Sequence, residues 1–349
     1  MTAVLVWVLR VLVALALLGA ALWGAGVLWY AVPLAAWGLP GWLAPLLLGL
    51  LGLFALLAVF AVLFRRGIGP ALPLAAALAA LFVWWASLDP SNDRVWQRDV
   101  AALPYAEIAG DRVTLHNLRN FTYRSEQDYT PNWETRTYDL AKLDSLDLIA
   151  VYWMGDDIAH IMLSFGFGED KGEGDYLTVS IETRKEEGEA YSTLAGFFRQ
   201  YELYYVVADE RDLIDLRTTY RAPPEDVYLY RVQARDEAAG KAKIRALFLD
   251  YLAEINALKD EAQWYNTLTT NCTTNVVTHV HAIGGSLPLN WEVLLSGHFP
   301  KLVYDHGGLD RSLPYDALRA DSLVNDRARA ASGSPDFSAR IREGLPGME

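Results

Sequence analysis

Cys272 is the only cysteine among 349 residues, and it sits in the string YNTLTTNCTTN that begins at Tyr265. Asn271 is a favoured helix N-cap, and the run from Cys272 to Ala282, closed by Gly284 and Gly285, reads as a short helix with a glycine stop. The thiol then lies in the first helical turn, where unpaired backbone N–H groups and the positive end of the helix dipole favour thiolate over thiol. That is the setting of a nucleophile. A cysteine that merely fills a gap in a core would need none of it.

A thiolate nucleophile works with an imidazole, and six histidines are available: His116, His160, His279, His281, His298 and His306. His279 lies seven residues along the helix of Cys272, which puts it about 10 Å away along the axis, and His281 is farther and turned aside. His160 is the favoured partner. It opens a strand-like run, 159–167, in which His160, Met162 and Ser164 share a face, and the following run, 176–184, puts Thr178, Ser180, Glu182 and Arg184 on one face. A hairpin register that pairs residue 160 with 182 or 180 would set a carboxylate or a hydroxyl beside the imidazole. Glu182 is then the expected orienting group, with Ser180 as the alternative; the competing reading pairs Glu182 with Arg184 or Lys185 on a solvated face. Asn271 and Tyr265 are candidates to join the Cys272 backbone N–H in stabilising an oxyanion.

These residues belong to the second of two unlike regions. Between Arg10 and Arg65 no residue is charged. Pro33, Pro40 and Gly41 divide that stretch into apolar segments 11–32 and 42–64, and a third apolar run, 70–88, follows Arg65 and Arg66. Each reaches the length of a membrane-spanning helix, so three transmembrane helices are expected within residues 1–90. A cleaved signal peptide is disfavoured, because the first run exceeds an h-region and two more follow at once. Arg10, Arg65 and Arg66 mark the cytoplasmic side, which puts everything after Leu88 outside. Trp29, Tyr30, Trp37, Trp42, Trp84 and Trp85 all fall at the ends assigned to the outer interface.

The remainder is expected to be one soluble α+β domain, 91–325, followed by a loose tail, 326–349, rich in Ala, Ser, Gly and Arg. Three of the 30 basic residues and one of the 43 acidic residues precede Ser91, which leaves a net charge of −15 on this region. Such a field repels nucleic acid and anionic surfaces. One cysteine excludes an internal disulfide framework. Alternating patterns predict strands near 112–118, 120–123, 146–153, 159–167, 176–184, 203–208 and 227–232. Helices are predicted at 191–200, at 237–260 with Leu247, Tyr251, Ile255 and Leu258 on one stripe, and at 272–282. No repeat, phosphate loop, dinucleotide fingerprint or Cys/His metal spacing is present, and no metal or cofactor is expected.

The order histidine on a strand, polar residue on the next strand, cysteine at a helix start resembles a circularly permuted papain-like fold of the NlpC/P60 type. More specifically, the strings IAHIMLSFGF from Ile158, SIETRKE from Ser180, YYVVADERD from Tyr204 and YNTLTTNCTTN from Tyr265 resemble the Lnb N-terminal periplasmic domain family, over about 117–285. The resemblance implies a lipoprotein N-acyltransferase-like activity, with Cys272 and His160 on the matching motif positions. It also implies phospholipid as acyl donor and a diacylated lipoprotein or other amine as acceptor. In the enzyme from which the family takes its name the membrane helices follow the catalytic domain, whereas here they precede it. Two other readings stand beside a thiol acyltransferase: a papain-like cysteine peptidase or amidase acting on cell-wall peptides, and a non-catalytic binding domain.

Overall fold

The computed structural model describes residues 3–32, 38–64, 69–168, 175–233 and 236–348. The chain divides into two compact units, one of residues 1–90 with 191–201, the other of residues 91–190 with 202–349.

In the first unit α1 (Ala3–Gly26) runs on through a π-turn to Ala31, followed by α2 (Leu43–Phe64) and α3 (Leu72–Ala86). Two helices, Ala3–Ala31 and Leu43–Phe64, are long and apolar enough to cross a membrane, with mean hydropathy 2.5 and 2.9. The third is 15 residues long, about 22 Å at 1.5 Å per residue and short of a hydrocarbon core of about 30 Å. Arg10 lies inside α1 rather than ahead of the expected span. Arg65, Arg66 and Trp37, used above for orientation, lie outside the described residues. Small side chains mediate the helix contacts: Ala21, Ala55, Ala58 and Ala71 pack with Leu74 and Leu78. Small residues let helix backbones approach closely where no hydrophobic effect drives association.

In the second unit ten strands form: β1 (Tyr105–Ala109), β2 (Arg112–Arg119), β3 (Thr122–Tyr123), β4 (Tyr129–Thr130), β5 (Trp133–Asp139), β6 (Leu143–Tyr152), β7 (Ala159–Phe167), β8 (Tyr176–Arg184), β9 (Glu202–Asp209) and β10 (Asp226–Arg231). The large sheet has the order β1-β2-β9-β8-β7-β6-β10, with β5 also on β2. Its ladders are antiparallel except where β2 meets β9. After β9 come α4 (Glu210–Asp215) and a π-turn, Leu216–Tyr220. Then follow α5 (Glu237–Asp260), α6 (Cys272–Ala282), α7 (Trp291–Leu294), α8 (Phe299–Asp305), α9 (Tyr315–Asp321), α10 (Asn325–Ala331) and α11 (Phe337–Arg340).

The predicted stripe of α5 is buried throughout, and Phe248 packs on Phe165 and Phe167 of β7. A second cluster unites Ile149, Val151, Met162, Tyr204 and Val206 with Leu213 and Ile214. Residues 326–348 correct the sequence reading. They do not hang loose: Ala328, Ala331, Phe337, Ile341 and Leu345 complete this cluster. Arg342, buried, clamps Asp147 and Glu210 with bonds of 2.6–3.0 Å. The apolar positions are spaced by helical turns too short to show a period, and small residues masked them.

The helix expected over 191–200 is absent. Only a 3-10 turn, Ala195–Phe197, forms there, and Arg199 takes φ 57°, a left-handed conformation that no helix of L-residues continues through.

Candidate active site

The β7–β8 hairpin has the register Met162↔Ser180, Leu163↔Val179, Ser164↔Thr178. Two residues further, this register sets His160 opposite Glu182. The β7–β8 ladder ends at Met162↔Ser180, while β8 continues on β9 as far as Arg184↔Glu202. The two strands therefore part at their open end. There the Ile161 N–H donates to the Cys272 sulfur instead of to a strand.

Cys272 is the first residue of α6, and the cap is fully formed. Asn271 Oδ1 accepts from the N–H groups of Thr273 and Thr274 at 2.9 Å each, and Asn271 N–H donates to Thr274 Oγ1. This reciprocal box satisfies the amides of the second and third helical residues. The Cys272 amide is the first-turn donor that the cap does not use.

His160 meets Ser180 and Glu182 through Nε2, at 2.6 Å to Ser180 Oγ and 3.1 Å to Glu182 Oε1. Ser180 has one hydroxyl proton and donates it to Glu182 Oε1 at 2.7 Å, so toward His160 it accepts, and Nε2 must carry a proton. Nδ1 is then the nitrogen left to exchange a proton with Cys272, with which the ring is also hydrogen-bonded. A third group closes the arrangement. Arg217, from the π-turn after α4, donates to Glu182 Oε1 at 3.0 Å and to the Leu213 carbonyl at 3.1 Å.

The electrostatics follow from this geometry. Burial alone would lower the pKa of His160, but the Glu182 carboxylate and the Cys272 sulfur outweigh it and push it up to about 9. Burial would raise Glu182, yet His160, Arg217 and Ser180 hold it well below the usual carboxylate range. For Cys272, burial and Glu182 favour the thiol, while His160 and the Ile161 N–H favour the thiolate and win. The arrangement thus favours a thiolate–imidazolium pair over thiol and neutral imidazole. Such a pair can attack a carbonyl carbon and return a proton to a leaving group.

Of the residues singled out from the sequence, Cys272, His160, Ser180 and Glu182 converge. Arg184 does not: it is buried and bonds the carbonyls of Val100 and Ala101 and the side chain of Asn92, with Trp96 4.1 Å from its guanidinium. It pins residues 92–101 to the sheet. Asn271 is the cap expected of it, and its side chain is fully used there: its oxygen serves the turn and its Nδ2 donates to the Thr267 carbonyl, which leaves no donor for the oxyanion role also considered. Tyr265 is buried beside the Asn266–Thr270 bridge that precedes the cap. His279 is engaged elsewhere, with Tyr205 and Asp250. Arg217 was missed. Its one signal is an arginine set among Leu213, Ile214 and Leu216, which are buried.

A cavity of about 510 Å³ is lined by Tyr152, Trp153, Arg221, Glu225, Tyr228 and Arg319 among others, and by none of the converging residues. Ionic contacts run from it to Glu182 through Arg221, Glu225 and Arg217. Among the described residues no group of three or more His, Cys, Asp or Glu is placed to hold a metal.

Residues 129–303 match the Lnb N-terminal periplasmic domain, and that interval contains all of the converging side chains. The chain belongs to this family. Neither the curated proteins nor the solved structures include a match. The family and the two long apolar helices fit a membrane-anchored periplasmic protein.

Proposed function

We propose that this member of the family is a cysteine-dependent acyltransferase of the bacterial inner membrane, with a permuted papain-like catalytic domain facing the periplasm. It would move an acyl chain from a membrane phospholipid through a Cys272 thioester to the N-terminal amine of a diacylated lipoprotein. The observation that carries the reading is the geometry at the start of α6: Cys272 bonded to His160 and to the Ile161 N–H, with Ser180, Glu182 and Arg217 lined up behind the imidazole. The donor and acceptor are those that the family resemblance implies, and the apolar helices would keep the domain at the membrane that holds them. The third helix, α3, extended by the turn before it and by Ser87 and Leu88, would complete a multi-pass anchor.

In this reading the Cys272 sulfur attacks the ester carbonyl carbon, and the carbonyl electron pair moves onto oxygen, where the open Cys272 amide donates to it. Collapse breaks the ester C–O bond, and the departing lysophospholipid alkoxide takes the proton from His160 Nδ1. Neutral His160 then removes a proton from the incoming amine as its nitrogen attacks the thioester, and the thiolate leaves. Glu182 and Ser180 keep the Nε2 proton in place throughout, and Arg217 keeps Glu182 ionised.

Incubation of the full chain with phospholipid, followed by intact mass measurement, tests the first step. An acyl adduct on the wild type that disappears in Cys272→Ala is expected. No adduct on the wild type, or an equal one on Cys272→Ala, overturns the reading. Cleavage of cell-wall muropeptides by a preparation that takes up no acyl chain would assign the same dyad to amidase work instead.

A further inference from the structure

Residues 191–201 lie in sequence between β8 and β9, yet they pack with the apolar helices. Arg199 is the centre of this packing. One guanidinium nitrogen donates to the carbonyls of Trp85, Ala86 and Leu88 at 2.9–3.0 Å, and its plane lies 4.5 Å from the Trp85 ring. Those carbonyls lie at and just past the C-terminal end of α3, where a cationic side chain suits the negative end of the helix dipole; the Trp85 carbonyl also accepts from the Leu88 N–H at 3.3 Å. Trp85 Nε1 in turn donates to the Phe198 carbonyl. Phe198 stacks on Tyr30 at 5.6 Å and lies over Gly26, where an added Cβ would come within 2.1 Å of its ring. Only glycine lets α1 accept that ring. The left-handed backbone of Arg199 is a strained conformation fixed by these contacts.

The loop so anchored buries Ala195 and Tyr201 and turns three other apolar side chains outward. Leu194 is 61 % exposed, Tyr191 43 % and Phe197 36 %. They belong to the loop that meets the helices at Tyr30 and Trp85, and Trp29 beside Tyr30 is exposed as well. Aromatic rings and an arginine at the end of a spanning helix are the composition of a membrane–water boundary.

We infer that residues 191–201 form an interfacial foot: Leu194 and Phe197 enter the boundary between headgroups and acyl chains of the bilayer that α1 and α2 span, and Arg199 locks the loop to the end of α3. The partner is a lipid surface, recognised by apolar insertion with an arginine at the phosphate level. The inference rests on the reading of α1 and α2 as membrane spans, but not on any chemistry at Cys272.

The sole cysteine makes the test direct. In full-length Cys272→Ser protein, cysteines introduced as Leu194→Cys and Phe197→Cys are labelled with a nitrobenzoxadiazole fluorophore. The proteins are placed in phosphatidylethanolamine–phosphatidylglycerol nanodiscs without nitroxide, or with nitroxide near the headgroup or near the acyl terminus. Labels at 194 and 197 are expected to lose roughly half of their emission to the shallow nitroxide and less to the deep one, as fits insertion of about 5–10 Å. Adding Arg199→Gln should weaken quenching at 194. Emission at 194 and 197 equal to that in nanodiscs without nitroxide, or quenching stronger from the deep nitroxide than from the shallow one, overturns the inference. Because the readout uses Cys272→Ser protein and needs no turnover, a loop that quenches leaves the foot intact even where the intact-mass test on the wild type fails the acyltransferase reading.

Discussion

Two buried ionic clusters share the sheet of the soluble unit, and they are finished to different degrees. Around Arg342 all four oxygens of Asp147 and Glu210 accept hydrogen bonds, from Arg342, Arg231 and Ser164. Nothing there is left to react. Behind Cys272 the chain of Arg217, Glu182, Ser180 and His160 is just as tightly bonded, but it ends on a sulfur that is partly exposed and on a backbone amide without a partner in the cap. Charge burial alone therefore marks no site; a cluster that stops one bond short, at a partly exposed thiol, is the better candidate.

The comparison can be broken at several points. Arg342→Ala should be the most damaging to the fold, at about 3–5 kcal/mol in denaturant unfolding, because it strands two buried carboxylates. The thiol reactivity of the molecules that remain folded should be unchanged, and a cost below about 1 kcal/mol would mean that the cluster around Arg342 is not sealed. His160→Ala should do the reverse, with stability nearly kept and turnover reduced by about 10²–10⁴-fold. Alkylation of Cys272 should then move up toward the ordinary thiol pKa of about 8.5. Identical alkylation profiles in wild type and variant would refute the pairing.

Glu182→Gln should reduce turnover by about tenfold and carry a pH signature. The ion pair forms as Cys272 ionises, below the usual thiol range, and is lost when His160 gives up its proton at about 9. Since Glu182 raises the His160 pKa, its removal should shift the alkaline limb of the rate profile downward; an unmoved limb would detach the carboxylate from the imidazole. Ser180→Ala should cost less, because Glu182 already reaches Nε2 at 3.1 Å. The smallest effect belongs to Asn271→Ala: about 1 kcal/mol of stability from the lost cap, with a slight rise in the pH at which Cys272 is alkylated.

What could be read from the sequence was local. The hairpin 159–167 and 176–184 and the helices 237–260 and 272–282 form with the boundaries that alternation, capping and the glycine stop specify. Both residues left open for the orienting role, Ser180 and Glu182, meet the imidazole together, because they alternate on one strand face. What escaped was carried by tertiary contact. Arg217 reaches Glu182 from 35 residues away, the docking of 326–348 depends on a surface built by other elements, and Arg184 prefers carbonyls of a preceding segment to the carboxylate two residues before it. The segment 191–200 has a plausible helical composition, and only its contacts with α1 and α3 explain its shape.

The order of these residues along the chain bears on how the protein is made. A polypeptide delivered across a membrane from its N-terminus presents His160 first, then Ser180 and Glu182, then Arg217, and Cys272 last of the set. Until the hairpin and the cap have closed around it, Cys272 is an ordinary thiol, mostly protonated at neutral pH. The residues that seal the sheet, 326–348, arrive later still. On the proposed function, reactivity is thus the final property the chain acquires, and an unfinished molecule would carry little thiolate to misdirect against its neighbours.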